Sequence, residues 1–201
     1  SCDLIELRVT RGGALRHTVK ERTTVLHRFP MTVVAEGDLI VLHLNSGNSN
    51  CVQATQGGAT PADETVSKNQ VPTGDFAANY NNAWDYWTAD SGLTNTDNVI
   101  TLLLDDTIVD GVLLAKDPTG NAASASETAA RYLVEADQWT TTNGDVPEGG
   151  FVDDDFRAHA CLDLNGAGTA NNSMSIQRVN AQDRNHKGDW EFRASSFGAA
   201  N

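Results

Sequence analysis

The sequence predicts a mostly β, antiparallel fold, and three observations lead there. Residues 93–114, LTNTDNVITLLLDDTIVDGVLL, hold two apolar runs, 99–104 and 108–114, divided by the polar Asp105, Asp106 and Thr107. That is the pattern of a β-hairpin. Seventeen glycines, many Asn and Thr residues and an apolar fraction of 39% spread over short runs favour strands joined by polar connections. Only residues 124–139 read convincingly as a helix.

Taken in order, residues 3–10 (DLIELRVT) alternate as a strand, with Ile5, Leu7 and Val9 on one side. Gly12 and Gly13 predict a turn. Residues 18–29 alternate loosely, and Thr23, Thr24, Val25 and Leu26 favour a strand there. Pro30 interrupts it. A turn is expected within 33–38, and the apolar run 39–44 reads as a strand covered on both faces. The tail returns to β patterning at 174–179 and 189–193. In all, strands are expected near 4–9, 23–29, 39–44, 98–104, 107–114, 174–179 and 189–193.

Two long polar stretches stand apart as insertions in a single domain spanning 1–201. The first, about 45–92, is rich in Gly, Asn and Pro and too long for an ordinary loop. Its aromatic residues Phe76, Tyr80, Trp84 and Trp87 have helical spacing, which predicts a short amphipathic helix. Trp84, Tyr86 and Trp87 are the candidate ligand-binding residues, as a platform for stacking sugars. The commoner role of such a cluster is core beneath a loop. The second insertion, about 116–172, holds the helix at 124–139. Ser124 and Glu127 form an S-x-x-E capping box, and Ala125, Ala129, Leu133 and Ala136 give it a narrow apolar stripe. One or two short helices in the insertions are therefore expected.

Charge excludes one class of partner. Acidic residues outnumber basic ones 27 to 14, for a net charge of −13, and no basic stripe interrupts them. Nucleic-acid binding rests on neutralised phosphates, so none is expected. No run of about 18 apolar residues exists to span a membrane. The chain begins at Ser1 with no basic-then-apolar leader, as expected if a signal peptide has been removed or the sequence has been trimmed.

The three cysteines, Cys2, Cys51 and Cys161, show no C-x-x-C spacing, which disfavours structural zinc. An odd count suits one disulfide with one thiol left over. Cys51 and Cys161 both lie in polar Asn- and Gly-rich sequence outside the apolar strands and form the expected pair. Their bridge would close a loop of about 110 residues, worth roughly 2–4 kcal/mol. Free thiols in a cytosolic protein are the alternative.

Catalytic motifs are mostly missing. His17, His27, His43, His159 and His186 are scattered, with no H-E-x-x-H pair for zinc hydrolysis. There is no G-x-S-x-G elbow and no phosphate-binding G-K-[ST] loop. Asp153, Asp154 and Asp155, with Asp163 and Asn165, cluster hard oxygen ligands of the kind calcium prefers; a solvated acidic loop is the simpler reading. No other cofactor is expected. Residues 183–188, D-x-N-x-K-G, open like an EF-hand loop. Lys187 stands at a ligand position and Ala194 where the closing Glu belongs, so they read as a hairpin turn.

Several segments together resemble the lamin-tail domain, in that family's order. They are Ile5-Glu6-Leu7, Gly13-Ala14-Leu15, residues 33–44, the hairpin at 93–114, Ser175-Ile176-Gln177-Arg178, Asp189-Trp190 and the ending SFGAAN. They cover about half the chain. The family's tryptophan in the G-W-x-L turn is absent, and so is a strand that usually precedes I-E-L. The resemblance implies an immunoglobulin-like antiparallel β-sandwich and a non-catalytic, extracellular or cell-surface bacterial module attaching to protein or surface. Carbohydrate binding through Trp84, Tyr86 and Trp87, or hydrolysis by acids in the insertions, are the alternatives.

Overall fold

The computed structural model describes residues 3–44, 83–88, 90, 92–94, 98–115, 124–140, 152–153, 174–179, 182–194 and 196. The protein is mostly β, with several antiparallel sheets and one α-helix among the described residues. All seven expected strands are present: β1 (Leu4–Arg8), β4 (Thr24–Arg28), β6 (Leu39–His43), β8 (Asn98–Leu104), β9 (Thr107–Ala115), β11 (Met174–Arg178) and β12 (Trp190–Ala194). Five more join them: β2 (Gly13–Leu15), β3 (His17–Glu21), β5 (Thr32–Val34), β7 (Ala83–Trp87) and β10 (Val152–Asp153). The strands fall into two compact units.

The first unit holds β1, β2, β5, β6 and β7. β6 is the middle strand of the order β1-β6-β7 and is buried along its whole length. Its unbroken apolar run is what a strand covered on both faces requires. β1 pairs with it antiparallel, Ile5 opposite Leu42. β7 pairs with it parallel, Leu39 opposite Ala83 and His43 opposite Trp87. One face of this pair carries Leu39, Val41 and Ala83, with Leu4 packed against them. On the other, Tyr86 is fully buried and meets the Phe29 ring edge-on, with centroids 4.9 Å apart. β2 and β5 form a separate antiparallel ribbon.

The sequence-based helix around 84–87 is corrected here. Residues 83–87 form a strand, because alternation across β6 buries Ala83, Asp85 and Trp87 on one face and Tyr86 on the other. Aromatic residues suit such a doubly covered strand. Phe76 and Tyr80 lie outside the described residues. The Gly12-Gly13 turn is also corrected, since Gly13 already belongs to β2.

The second unit holds a five-stranded sheet of order β10-β9-β8-β3-β4 and the β11-β12 ribbon. The stretch 18–29, read as one strand, divides into β3 and β4 around a two-residue turn in which Arg22 takes a φ of 53°. β8 and β9 form the expected hairpin, although its turn is shorter than the sequence suggested: Leu104 pairs with Thr107. Asp105 and Asp106 have φ of 48° and 65°, the left-handed pair that a two-residue hairpin turn of primed type demands.

Helix α1 (Ser124–Glu135) is buried through Ser126, Ala129, Ala130 and Leu133. Ala129, Ala130 and Leu133 pack with Val99 and Leu113 of the hairpin, and Ile176 and Trp190 of the β11-β12 ribbon lie against the same cluster. Glu127 is engaged by Arg131 one turn later at 2.7 Å. Arg22 reaches across from the β3-β4 turn to donate to Ser126 Oγ at 3.0 Å. The helix stops short of Trp139. Gln138 N donates to Leu133 O and Asp137 N to Val134 O, with Asp137 at φ 56°, a left-handed termination of Schellman type. Trp139, beyond it, drops into the core. Segments expected to be insertions thus supply a strand of one unit and the helix of the other.

Candidate functional site

Three polar clusters and one apolar face stand out among the described residues. The first cluster is built on β6 and β7. His43 and Asp85 are 2% and 1% exposed, and their side chains meet at 2.8 Å, Nε2 to Oδ1. The parallel register sets Asp85 beside Val41 and Trp87 beside His43, so all three side chains share one face. The Trp87 indole then stacks on the His43 imidazole at 4.8 Å. On the opposite face Trp84, half-buried, donates its indole N–H to Asp38 Oδ2 at 2.9 Å. The same oxygen accepts from Ala35 N at 3.0 Å. Of the three aromatic candidates, Tyr86 and Trp87 lie wholly in the core and Trp84 is the partly exposed one.

The second cluster is centred on Arg178. Its guanidinium donates to Asp110 Oδ1 at 2.6 Å and to Asp183 Oδ2, and lies 4.9 Å over the Trp190 ring. Burial raises the Asp110 carboxyl above its ordinary value of 3.8; the Arg178 charge and hydrogen bond pull it down without cancelling that. Burial likewise works against the charge on Arg178, but Asp110 and Asp183 outweigh it and hold the guanidinium above its usual value.

A pH dependence follows. The folded chain holds the Asp110 proton more tightly than the unfolded chain. The stability this contributes is present below the unfolded value of 3.8 and lost as pH rises through the raised folded value. Asp110→Asn removes it. The urea midpoint of the wild type minus that of the variant should therefore fall as pH is raised above 3.8. A difference that grew with pH would mean that the attraction of Arg178 dominates instead.

The third cluster is the loop 182–189, which closes the β11-β12 hairpin. Asp189, fully buried, accepts from Arg184 N at 2.8 Å and Nε at 2.6 Å. Asp183 accepts from Asn185 N, and His186 Nδ1 accepts from Gly188 N. Both oxygens of the EF-hand-like Asp183 are thus engaged, one by Asn185 N in the turn and the other by Arg178 of β11. Asn185 also donates to Asp137 O at 2.7 Å and ties this loop to the end of α1.

The apolar face belongs to the β2-β5 ribbon. Ala14 pairs with Val33, while Leu15 and Val34 point to the buried side. Alternation puts Gly12, Ala14 and Arg16 with Met31, Val33 and Ala35 on the outer side, and all six are exposed. Met31 is 78% and Val33 79% exposed. Gly12 permits the close approach there: a Cβ on it would stand 3.2 Å from Glu36 N and Val34 O.

Neither the His43–Asp85 pair nor this face was anticipated as a site. A lone His in the apolar run VLHL and a lone Asp in AWDYW were the available signals for the pair. For the face it was MTVVA between Pro30 and Gly37. Cys2, Cys51 and Cys161 lie outside the described residues, as do Asp154, Asp155, Asp163 and Asn165; Asp153 is described only as the end of β10. Among the described residues no group of three or more His, Cys, Asp or Glu side chains is arranged to hold a metal ion. No helix among them is long and apolar enough to cross a membrane.

Residues 1–192 match the model of a protein family described as "protein second domain". No curated protein and no solved structure matches the chain.

Proposed function

We propose, from the premise that the chain belongs to the family described as "protein second domain", that it is a non-catalytic binding or structural module of a larger protein. It attaches that protein to another protein or to a surface. The observation that carries this is the outer face of the β2-β5 ribbon, where Met31 and Val33 lie almost fully in solvent. Contiguous exposed apolar side chains on one face of a strand pair are a feature of interaction sites.

The polar clusters support the same reading, because their polar groups are engaged with one another: His43 with Asp85, Arg178 with Asp110 and Asp183, Arg184 with Asp189. The lamin-tail-like segments fall on β1, β6, the β8-β9 hairpin and the β11-β12 ribbon. That supports keeping an extracellular or cell-surface setting and an immunoglobulin-like kinship within the proposal.

The test compares the wild type with a Met31→Asp/Val33→Asp variant, each immobilised and exposed to a lysate and a surface extract of the source cells. A protein retained by the wild type and lost by the variant, with unchanged circular dichroism, is the expected result. Equal retention by both would remove this face as the point of attachment.

A further inference from the structure

We propose that the Asp110-Gly111 step of β9 is a site of spontaneous covalent modification in the folded chain. There the aspartate isomerises to isoaspartate through a cyclic imide formed with the Gly111 nitrogen. The reactants are the main chain itself and water.

The sequence holds one Asp-Gly step, and the structure requires each half of it. A Cβ at position 111 would stand 2.8 Å from Ile100 O and 2.7 Å from Leu133 Cδ1, so the packing calls for glycine. The Asp110 carboxyl is where Arg178 of β11 is anchored. The pair most prone to ring closure is thus held in place by the fold.

The geometry favours the reaction. Gly111 N donates to Asp110 Oδ1 at 2.7 Å, so the attacking nitrogen already lies against the carboxyl group. Holding reacting groups together is a large part of the barrier to such a step. Arg178 Nη2 donates to the same oxygen at 2.6 Å. A cation therefore stands where negative charge gathers as nitrogen adds to Cγ. The ladder also breaks step here. Leu102 faces Asp110 while Leu103 faces Ile108, which leaves Val109 as a bulged residue that disrupts the pairing locally. Asp110 and Gly111 are both partly exposed, so water reaches them. Burial favours the neutral carboxyl, the form able to release water, and Arg178 opposes this without cancelling it.

The atoms balance. Gly111 N bonds to Asp110 Cγ, and Oδ2 departs as water with the carboxyl proton and the amide proton. One water then opens the imide. Cleavage at Cγ restores aspartate, whereas cleavage at the main-chain carbonyl carbon leaves the chain running through Cβ. Nothing is oxidised or reduced. The isoaspartate adds a carbon to the backbone of β9 and moves the carboxylate. Arg178 loses its anchor, and the β11-β12 ribbon loses a tie to the sheet.

The test is prolonged warm incubation of the folded chain below its thermal midpoint, in heavy-oxygen water, beside the same chain in urea. Fragment-ion mass spectrometry then locates isoaspartate and the incorporated oxygen. Both are expected at residue 110 of the folded sample, and the isomerised fraction should melt lower than the rest. Asp110→Glu keeps a carboxylate for Arg178 but needs a larger ring, and should stay unmodified. Arg178→Gln, checked by its thermal midpoint, should slow the step. Isoaspartate that forms at 110 only in urea, or in neither sample, would overturn the proposal. Faster reaction in folded Arg178→Gln would overturn it too, because loosening of the strand and not its geometry would then drive the chemistry.

Discussion

Asp85→Ala is expected to cost about 1–3 kcal/mol of folding stability, the usual penalty for leaving a buried polar group without its hydrogen-bond partner. His43 and Asp85 are both almost completely buried and meet at 2.8 Å. Truncating the carboxylate removes the hydrogen-bond partner of the buried imidazole nitrogen, which lies stacked on Trp87. Asp85→Asn should cost less, since its amide oxygen still accepts a hydrogen bond. The measurement is the urea midpoint at a constant slope, so that the change is assigned to stability and not to a different unfolded state. A loss below about 1 kcal/mol, typical of solvent-exposed pairs, would contradict the burial of this one.

Gly111→Ala is expected to destabilise the second unit by about 1–3 kcal/mol, the range for forcing an extra carbon into a packed core. A Cβ at this position would stand 2.7 Å from Leu133 Cδ1 and 2.8 Å from Ile100 O. Leu133 could rotate away, but the carbonyl belongs to the neighbouring strand β8 and cannot move without disturbing the hairpin. The helix would be pushed off the sheet, and the Trp139 environment should change with it. Loss of the near-ultraviolet circular dichroism of that cluster, with the far-ultraviolet signal kept, is the expected signature. An unchanged thermal midpoint would show that α1 does not rest on Gly111.

Strands β6, β8 and β9 were readable because their patterns are local. Residues 39–42 form an unbroken apolar run, and 98–115 hold two apolar runs about two aspartates able to adopt the left-handed turn. β7 was obscured for the opposite reason. Its aromatic residues also satisfy a helical spacing, and the partner that makes it a strand is β6, a stretch with which it shares no local signal. Three-residue strands such as β2 and β5 are too short to show any period, so Val33 read as part of a turn. The early end of α1 depended on Asp137 taking a conformation that glycine usually supplies. The His43–Asp85 pair lay beyond sequence reasoning altogether, because its two halves acquire meaning only once the parallel register is known. The outer face of β2 and β5 was hidden for the same reason: Ala14, Met31 and Val33 become one surface only through pairing.

The parallel pairing of β6 with β7 also sets an order of events in folding. His43 and Asp85 lie 42 residues apart, so their contact must wait for a large loop to close, an entropic cost that rises with the logarithm of its length. The β8-β9 and β3-β4 turns need only two residues each to reverse, and hairpins of this kind form in about 1–10 μs. The short-range ribbons are therefore expected to pair early, and the buried clasp between β6 and β7 to close late. A bond made after the rate-limiting step does little to hasten folding. Its effect falls on how long the finished structure survives before it opens.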